Sequence, residues 1–242
     1  MLKAIIFDLD GVIAETESVH LKAFQKTFEK FNLNITQEYH IGLIGFTVKD
    51  NIIKIKKDFH LEIDVDEYVK KRNNEYLALL EKDTIAPNPG LNDILNWGKK
   101  NKLKLGICSS SKRKMVDIVL KGAFKKMGIE KSIYDFFDTV ITADNTKRKK
   151  PYPDLYLYAI DKLSMAPFEC LVIEDSEVGI RSAKTAGCRV VGLITPYNRK
   201  KELVIADKIV DSLKDLLEAN FWGWFDKGLK TMKSRGERVD NF

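Results

Sequence analysis

The sequence has few cysteines and no long apolar run. Cys108, Cys170 and Cys188 are its three cysteines, an odd number without the spacing of a metal site, so we expect reduced, buried thiols rather than a disulfide framework. No window approaches about eighteen uncharged apolar residues, and charged Lys3 and Asp8 interrupt the first ten positions, so neither a membrane span nor a signal peptide is predicted. We therefore expect a cytoplasmic protein with no membrane partner.

The sequence is also poor in arginine, which supplies only 8 of the 41 basic residues. The net charge is +6, but the lysines are scattered along the chain without a sustained basic block. This distribution favours a solvated, lysine-rich surface over a nucleic-acid interface, although it still attracts small anions. Of the 242 residues, 44% are apolar and 31% are charged, which is typical of a folded globular chain.

Short apolar stretches alternate with helix-length segments, which is typical of an α/β protein with a parallel sheet. Five stretches are nearly continuous in apolar residues, as strands covered on both faces must be; they span residues 2–8, 102–109, 138–143, 170–175 and 188–195. Two of the helical segments end at Gly128 and Gly187, the residue type suited to a left-handed helix end. The predicted fold is a Rossmann-like parallel sheet sandwiched by helices.

About ninety residues separate the first two predicted strands, too many for one crossover helix. Helical spacing is visible there in two sets, Phe24, Phe28 and Phe31, and Val65, Val69, Arg72, Tyr76 and Leu80. Thr47 followed by Asp50 resembles the capping pattern of a helix start. We therefore predict a core domain at 1–15 and 88–220 and an inserted helical cap domain at 16–87, able to act as a lid. A helical tail is predicted at 221–242, packed on the core or on another subunit.

Polar side chains follow four of the five predicted strands at the point where each strand ends. In chain order they are Asp8 and Asp10, Ser109 and Ser110, Lys150, and Glu174 and Asp175. Ligands of open parallel sheets bind at this edge. Crowded carboxylates repel one another unless a cation lies among them, and a hard divalent cation suits oxygen ligands. The order and placement therefore predict a Mg²⁺ site beside a phosphate-binding site.

These residue types suit phosphoryl transfer. An ionised aspartate beside Mg²⁺ can attack phosphorus and form an aspartyl phosphate, while a lysine, a hydroxyl and backbone N–H groups neutralise the phosphoryl oxygens. Asp10, two residues beyond Asp8, can protonate the leaving oxygen and then activate water. Gly11 permits the sharp turn that brings Asp10 back over the site.

Four stretches resemble, in order and spacing, the motifs of the haloacid dehalogenase superfamily: "DLDG" (8–11), the serine in "ICSSS" (107–111), "KPYPD" (150–154) and "EDS" (174–176). The helical insert, "DGVIAETESVH" and "PNPGL" resemble its β-phosphoglucomutase-like and phosphoglycolate-phosphatase-like branch. The resemblance extends to about residue 218. It implies a Rossmann-like core with a helical cap inserted after the first strand.

The resemblance also implies a role for each motif residue. The expected catalytic residues are Asp8 as nucleophile and Asp10 as general acid and base. The expected phosphate ligands are Ser109, Ser110 and Lys150, the last preferred to Lys149 because it directly precedes a proline. The expected Mg²⁺ ligands are the Asp8 side chain, the Asp10 backbone carbonyl and Asp175, with Glu174 at the metal or just behind it.

The cap departs from the pattern of the related mutases, which carry a lysine and an arginine around a "GxS/T" segment to hold the distal phosphate of the sugar. Ile44 and Val48 occupy those positions here. Each lost charge-assisted contact costs ~1.5 to 3 kcal/mol, and a mutase must hold a bisphosphate while it turns over in the site. The remaining candidates for substrate contact in the cap are His20, Gly45, Thr47, Lys49 and Arg72. Lys49 as a solvated charge, Arg72 as an ion pair and His20 as a packed histidine are the structural alternatives.

We therefore predict a Mg²⁺-dependent phosphatase of a small phosphorylated metabolite, such as a sugar or polyol monophosphate, acting as a monomer or dimer. The alternative is a β-phosphoglucomutase-type mutase that uses the same aspartyl phosphate. A third hypothesis is a non-catalytic phosphoacceptor of the receiver type, against which both Asp10 and the lid-sized insert argue. Dehalogenation itself is not expected, because it needs neither the magnesium cluster nor the second aspartate.

Overall fold

A computed structural model describes residues 1–82, 85–130, 132–218 and 221–225. Its strands are β1 (Ala4–Phe7), β2 (Ala14–Glu15), β3 (Ala86–Pro87), β4 (Lys104–Cys108), β5 (Thr139–Ile141), β6 (Cys170–Glu174), β7 (Arg189–Leu193) and β8 (Lys208–Val210). Six of them form one parallel sheet in the order β5-β4-β1-β6-β7-β8, while β2 and β3 pair antiparallel. The functional edge of the sheet is therefore centred on β1, between β4 and β6.

The α-helices are α1 (Glu17–Thr27), α2 (Gln37–Ile41), α3 (Val48–Asp58), α4 (Val65–Lys82), α5 (Leu91–Lys100), α6 (Arg113–Lys126), α7 (Ile133–Phe136), α8 (Asp154–Leu163) and α9 (Glu177–Thr185). Short 3₁₀ helices span Glu29–Phe31, Pro167–Glu169, Lys200–Glu202 and Leu213–Leu217. In the described part of the chain, no helix combines the length and the apolar character that a bilayer span requires.

The core lies on both faces of the parallel sheet, because successive strand residues point to opposite sides. Ile5 and Phe7 of β1 belong to the apolar cluster that includes α5 and α6. Ala4 and Ile6, the alternate residues, belong to the cluster that includes α8 and α9. All four side chains are fully buried, which explains why β1 reads as a continuous apolar run and confirms the predicted sandwich.

Helices α1 to α4 follow one another between the paired strands β2 and β3. They enclose an apolar cluster of their own, which includes Phe24, Phe28, Ile52 and Tyr68. The helical spacing at 65–80 is confirmed by α4, but Phe28 lies just beyond the end of α1 rather than within it. The arrangement agrees with an inserted helical unit, and the domain boundaries at 16–87 stay a prediction.

Three other sequence predictions concern the strands, the cysteines and the tail. The five predicted strands are all present, although each is shorter at its ends, and the edge strand β8 was not predicted. The three cysteines are buried and free, as predicted. Of the predicted tail, Phe221 and Phe225 are buried against the core, and the Trp222 ring stacks on Trp97 with centroids 4.4 Å apart. Residues 226–242, the rest of that predicted helix, lie outside the described residues.

Candidate active site

Three of the polar residues predicted at the strand ends, Asp8, Lys150 and Glu174, meet in one buried site. Asp8 follows β1, Glu174 ends β6, and the Lys150 side chain reaches between them from the loop before α8. Lys150 Nζ donates to Asp8 Oδ1, to Glu174 Oε1 at 2.6 Å and to the Cys108 carbonyl at 3.2 Å. Burial alone would lower the pKa of the Lys150 ammonium, but the charges of Asp8 and Glu174 outweigh it and raise that pKa. Lys150 is therefore a permanent positive charge beside Asp8.

Three carboxylates crowd the same point. Asp8, Glu174 and Asp175 are buried, and each offers an oxygen within 4.8 Å of the others. Burial, together with the charge of Glu174, raises the pKa of both Asp8 and Asp175 well above the usual value, although Lys150 opposes the rise at Asp8. A divalent cation relieves this repulsion, and carboxylate oxygens are the ligands that Mg²⁺ prefers. The donor set therefore fits the Mg²⁺ ion that the sequence predicts.

Asp10 lies in a different environment. Thr16 Oγ1 donates to Asp10 Oδ1 at 2.6 Å, and Ser111 Oγ donates to Oδ2 at 3.3 Å. Burial alone would raise the pKa of Asp10, but neighbouring His20 and the two hydroxyls outweigh it and hold the pKa below its usual value. The pKa values of Asp8 and Asp10 are thus shifted in opposite directions, because Asp8 is buried among other carboxylates whereas Asp10 accepts hydrogen bonds from hydroxyl groups beside His20.

Two of the candidate cap residues lie on the Asp10 side of the site. Arg72 Nη2 bonds His20 Nδ1, and His20 Nε2 lies 3.9 Å from Asp10 Oδ1. The guanidinium of Arg72 lies against the rings of Phe24 and Tyr76, with its Cζ 4.7 Å from each ring centroid. Burial lowers the pKa of Arg72 to about 10. His20 therefore lies between a buried cation and Asp10, and its contact with a substrate stays a prediction.

Two other cap candidates have structural partners. Lys49 forms an ion pair at 2.8 Å with Asp66, and the Lys49 side chain is 57% exposed. Thr47 caps α3, because its Oγ1 accepts the Asp50 N–H at 3.1 Å, and this confirms the predicted helix start. A role for either residue in binding a substrate stays a prediction.

The cap segment around Gly45 lies against the core beside the site. Gly45 has a φ of +88°, and a Cβ added there would lie 2.8 Å from Val178 Cγ2 in α9. Gln37 Nε2 donates to the Pro196 carbonyl at 3.1 Å. These contacts place the cap against the carboxyl-end edge of the sheet.

Several residues that lie at the site were not predicted from the sequence. Ser111 rather than Ser110 contacts Asp10, and Ser110 is exposed. Thr16 also contacts Asp10, and Asn198 donates to the Asp175 carbonyl at 2.8 Å. In the run Ser109–Ser111, the sequence does not indicate which serine contacts Asp10. For Thr16, the one indication was its place in the "DGVIAET" segment.

The turn after Asp10 depends on Gly11, and we expect Gly11→Ala to distort this turn. Its φ is +79°, and an added Cβ would overlap the Asp175 carboxylate. We expect Mg²⁺ affinity to fall ~10- to 100-fold as Asp175 is displaced, in addition to a backbone cost of ~1–2 kcal/mol. Calorimetric titration and urea unfolding measure the two effects.

Gly128→Ala is the matched control, because Gly128 also has a positive φ, +69°, but no atom lies within 4 Å of an added Cβ. We expect it to lose stability without losing Mg²⁺ affinity. Equal Mg²⁺ affinity in both variants would show that the absence of a side chain at Gly11 is not needed to position the Asp175 carboxylate.

Comparison with known proteins identifies similar chains. A profile of the haloacid dehalogenase-like hydrolase family matches residues 5–193. Protein CbbY of Rhodobacter capsulatus is 31% identical over 212 residues, which cover 85% of this chain and 91% of the relative. A phosphorylated carbohydrates phosphatase of Thermotoga maritima is 26% identical over 226 residues, covering 89% of this chain and 100% of the relative. A β-phosphoglucomutase structure from Clostridium difficile is 27% identical, with a TM-score of 0.77 and coverage of 95% and 100%.

Proposed function

The chain belongs to the haloacid dehalogenase-like hydrolase family, and we propose that it is a Mg²⁺-dependent phosphatase of small phosphorylated metabolites that forms an aspartyl phosphate on Asp8. The observation that carries the proposal is the position of Asp8, which lies against the Lys150 ammonium in the same buried cluster as Asp175. A carboxylate so placed has a cation on one side and a metal-binding group on the other. Relatives named as phosphatases support the reaction type.

In the first proposed step, an Asp8 oxygen attacks phosphorus, and the bond from phosphorus to the leaving oxygen breaks. Asp10 gives its proton to that oxygen, so that the product leaves as a neutral alcohol. Lys150 and the Ser109 hydroxyl bind the phosphoryl oxygens as charge shifts across them. When bound, Mg²⁺ supplies further positive charge to the phosphoryl group and lowers the repulsion between it and Asp8.

In the second proposed step, Asp10 takes a proton from water while the water oxygen attacks the phosphorus of the aspartyl phosphate. The bond between phosphorus and Asp8 breaks, which releases inorganic phosphate and restores the carboxylate. The proton that Asp10 takes from water restores the acid form that it needs for the next turnover. Thr16 and Ser111 hold its two oxygens in place for both steps.

We assign the Mg²⁺ ion to the Asp8 and Asp175 side chains and the Asp10 backbone carbonyl, with Glu174 at the metal or behind it. The Asn198 amide supports the loop that carries Asp175, because it bonds both the Asp175 and the Leu193 carbonyls, at 2.8 and 2.9 Å. Ser109, the proposed phosphate ligand, is fully buried, and its Oγ accepts the Ser111 N–H at 3.0 Å.

For the substrate we propose a sugar or polyol monophosphate. The likeness to a phosphorylated carbohydrates phosphatase supports this class. The alternative is a mutase, which the likeness to β-phosphoglucomutase keeps open. Ile44 and Val48 supply no charge for a second phosphate, and the Arg72 guanidinium is engaged by His20 and two rings. Both observations favour hydrolysis of a monophosphate over retention of a bisphosphate.

A phosphate-release screen tests the proposal. Wild-type protein is incubated with a panel of phosphorylated metabolites, with Mg²⁺ and with the chelator EDTA. We expect phosphate release from at least one sugar or polyol monophosphate, and a loss of at least ~100-fold without Mg²⁺. Release of the same size in EDTA would contradict the metal assignment.

Incubation with β-glucose 1-phosphate and a trace of the bisphosphate distinguishes the mutase. Formation of glucose 6-phosphate without free phosphate would replace the phosphatase by the mutase. A long-lived phosphoprotein without turnover of any metabolite would instead favour the phosphoacceptor hypothesis.

A further inference from the structure

Glu174 accepts so many hydrogen bonds that its carboxylate has no lone pair left for a metal ion. Its Oε1 accepts from Lys150 Nζ at 2.6 Å and from the Tyr156 hydroxyl at 2.8 Å. Its Oε2 accepts from the Asp175 and Ser176 N–H groups, both at 3.2 Å, and from the Ser176 hydroxyl at 3.0 Å. A carboxylate offers about four lone-pair sites, so these five donors use all of them. The Glu174 side chain is 0% exposed.

The surroundings of Glu174 hold it in one place. Its Oε2 lies at the start of α9, where Ser176 is the N-cap residue. Gly179 lies directly over the carboxylate, and a Cβ at this position would overlap both Glu174 oxygens. Backbone and helix therefore define one side of Glu174, and Tyr156 and Lys150 define the other.

Tyr156 contacts both members of the Glu174–Lys150 pair. It lies in α8, is fully buried, and donates its hydroxyl to Glu174. Its ring faces the Lys150 ammonium, with Nζ 5.0 Å from the ring centroid, a distance within the range of cation–π attraction. One side chain thus orients the carboxylate that binds the lysine and also packs against the lysine itself.

We propose that Tyr156 is a positioning residue, whose hydroxyl orients Glu174 so that Glu174 holds Lys150 against the phosphoryl group, with Glu174 behind the metal rather than bound to it. This inference rests on the proposed function, since Lys150 is the phosphate ligand there. Without the hydroxyl, Glu174 Oε1 keeps Lys150 as its one donor, and the carboxylate is held mainly from its Oε2 side. The Lys150 ammonium is then held less firmly for the phosphoryl group, although Asp8 and the Cys108 carbonyl still bind it.

Tyr156→Phe tests the proposal, because it removes the hydroxyl and keeps the ring. Hydrogen bonds to charged groups are worth enough that we expect kcat/KM to fall ~10-fold or more. Inorganic phosphate, titrated calorimetrically into the Mg²⁺-loaded protein, is expected to bind several-fold more weakly. The Kd for Mg²⁺ itself should stay within about twofold, because the Tyr156 hydroxyl bonds Glu174 rather than one of the proposed Mg²⁺ ligands.

Tyr158→Phe is the matched control, since Tyr158 is a partly buried tyrosine of the same helix packed beside the same apolar cluster. It should leave kcat/KM and phosphate affinity at the wild-type level. A purely structural role for Tyr156 would lower the unfolding temperature of Tyr156→Phe but leave kcat/KM and phosphate affinity unchanged, and that result would overturn the proposal. A loss of Mg²⁺ affinity as large as the loss of kcat/KM would also overturn it, because Tyr156 would then act through the metal.

A second comparison applies if Tyr156→Phe does not fold. Replacement of Tyr156 by 4-aminophenylalanine keeps an N–H donor at the same place, and we expect at least about a third of the wild-type kcat/KM. If the 4-aminophenylalanine variant folds but binds phosphate as weakly as Lys150→Met, a variant without the ammonium, a positioning role for the Tyr156 hydroxyl is refuted. Failure of the proposed function has a different signature: wild-type protein would release no phosphate, while the phosphate titration would still report on Tyr156.

Discussion

Asp8→Asn is expected to abolish turnover, with kcat reduced by ~10⁴-fold or more and no covalent phosphoenzyme formed. An amide is not nucleophilic, so the first step has no acceptor for the phosphoryl group. The substitution also removes the negative charge that faces Lys150. Initial-rate assays on the best substrate of the panel, with Mg²⁺ in excess, measure the effect.

The control for Asp8→Asn is Asp161→Asn, which makes the same chemical change at an exposed position of α8. We expect it to keep wild-type kcat and KM. Activity of Asp8→Asn within tenfold of the wild type would refute Asp8 as the nucleophile, whatever the stability of the variant.

Asp10→Asn is expected to slow turnover by ~10²- to 10⁴-fold, the usual contribution of general acid–base catalysis. Its affinities for Mg²⁺ and inorganic phosphate should change by less than about threefold, because the proposed metal contact of residue 10 is its backbone carbonyl. The variant can still accept the Thr16 hydrogen bond through its amide oxygen. Binding without turnover is therefore the expected phenotype.

The leaving group sharpens the test of Asp10. A sugar alkoxide must be protonated as it leaves, whereas p-nitrophenolate is stable without a proton. We expect phosphoenzyme formation by Asp10→Asn to be much slower than wild type with the sugar phosphate and close to wild type with p-nitrophenyl phosphate. Equal loss with both substrates in this first step would show that Asp10 does not act as the general acid.

The strand-end residues could be predicted from sequence because their placement follows from topology. Asp8, Ser109 and Glu174 each end or follow a strand whose apolar run is unmistakable, and parallel strands bring those ends to one edge. Lys150 was preferred to Lys149 by its place before a proline, and Lys150 lies in the cluster while Lys149 is exposed.

The supporting contacts could not be predicted, because they depend on side-chain direction rather than on spacing. Thr16 lies 6 positions from Asp10 along the chain and Ser111 lies 101 positions from it. Neither position has a sequence pattern that distinguishes it from neighbouring hydroxyl residues. Tyr156 has the helical spacing of a core residue, so its hydroxyl bond to Glu174 is invisible in the sequence. Strand β8, at the edge of the sheet, begins with a lysine and has one buried residue, Val210, so it lacks the apolar run by which the predicted strands are recognised.

The cap candidates illustrate the same limit. His20 and Arg72 are 52 positions apart, and only the packing of α1 against α4 brings them together beside Asp10. The sequence predicts either a substrate contact or an ion pair for Arg72, whereas its guanidinium is 2% exposed and lies between the rings of Phe24 and Tyr76.

The most direct measurement of the central claim is the site of covalent phosphorylation. Wild-type protein is mixed with substrate and Mg²⁺, quenched in acid within one turnover, digested, and analysed by tandem mass spectrometry. We expect one added phosphoryl group, on Asp8 in the "AIIFDLDG" segment (4–11), and none in Asp8→Asn. A phosphoryl group on any other residue, or turnover with no covalent intermediate detectable under conditions that preserve an acyl phosphate, would contradict it.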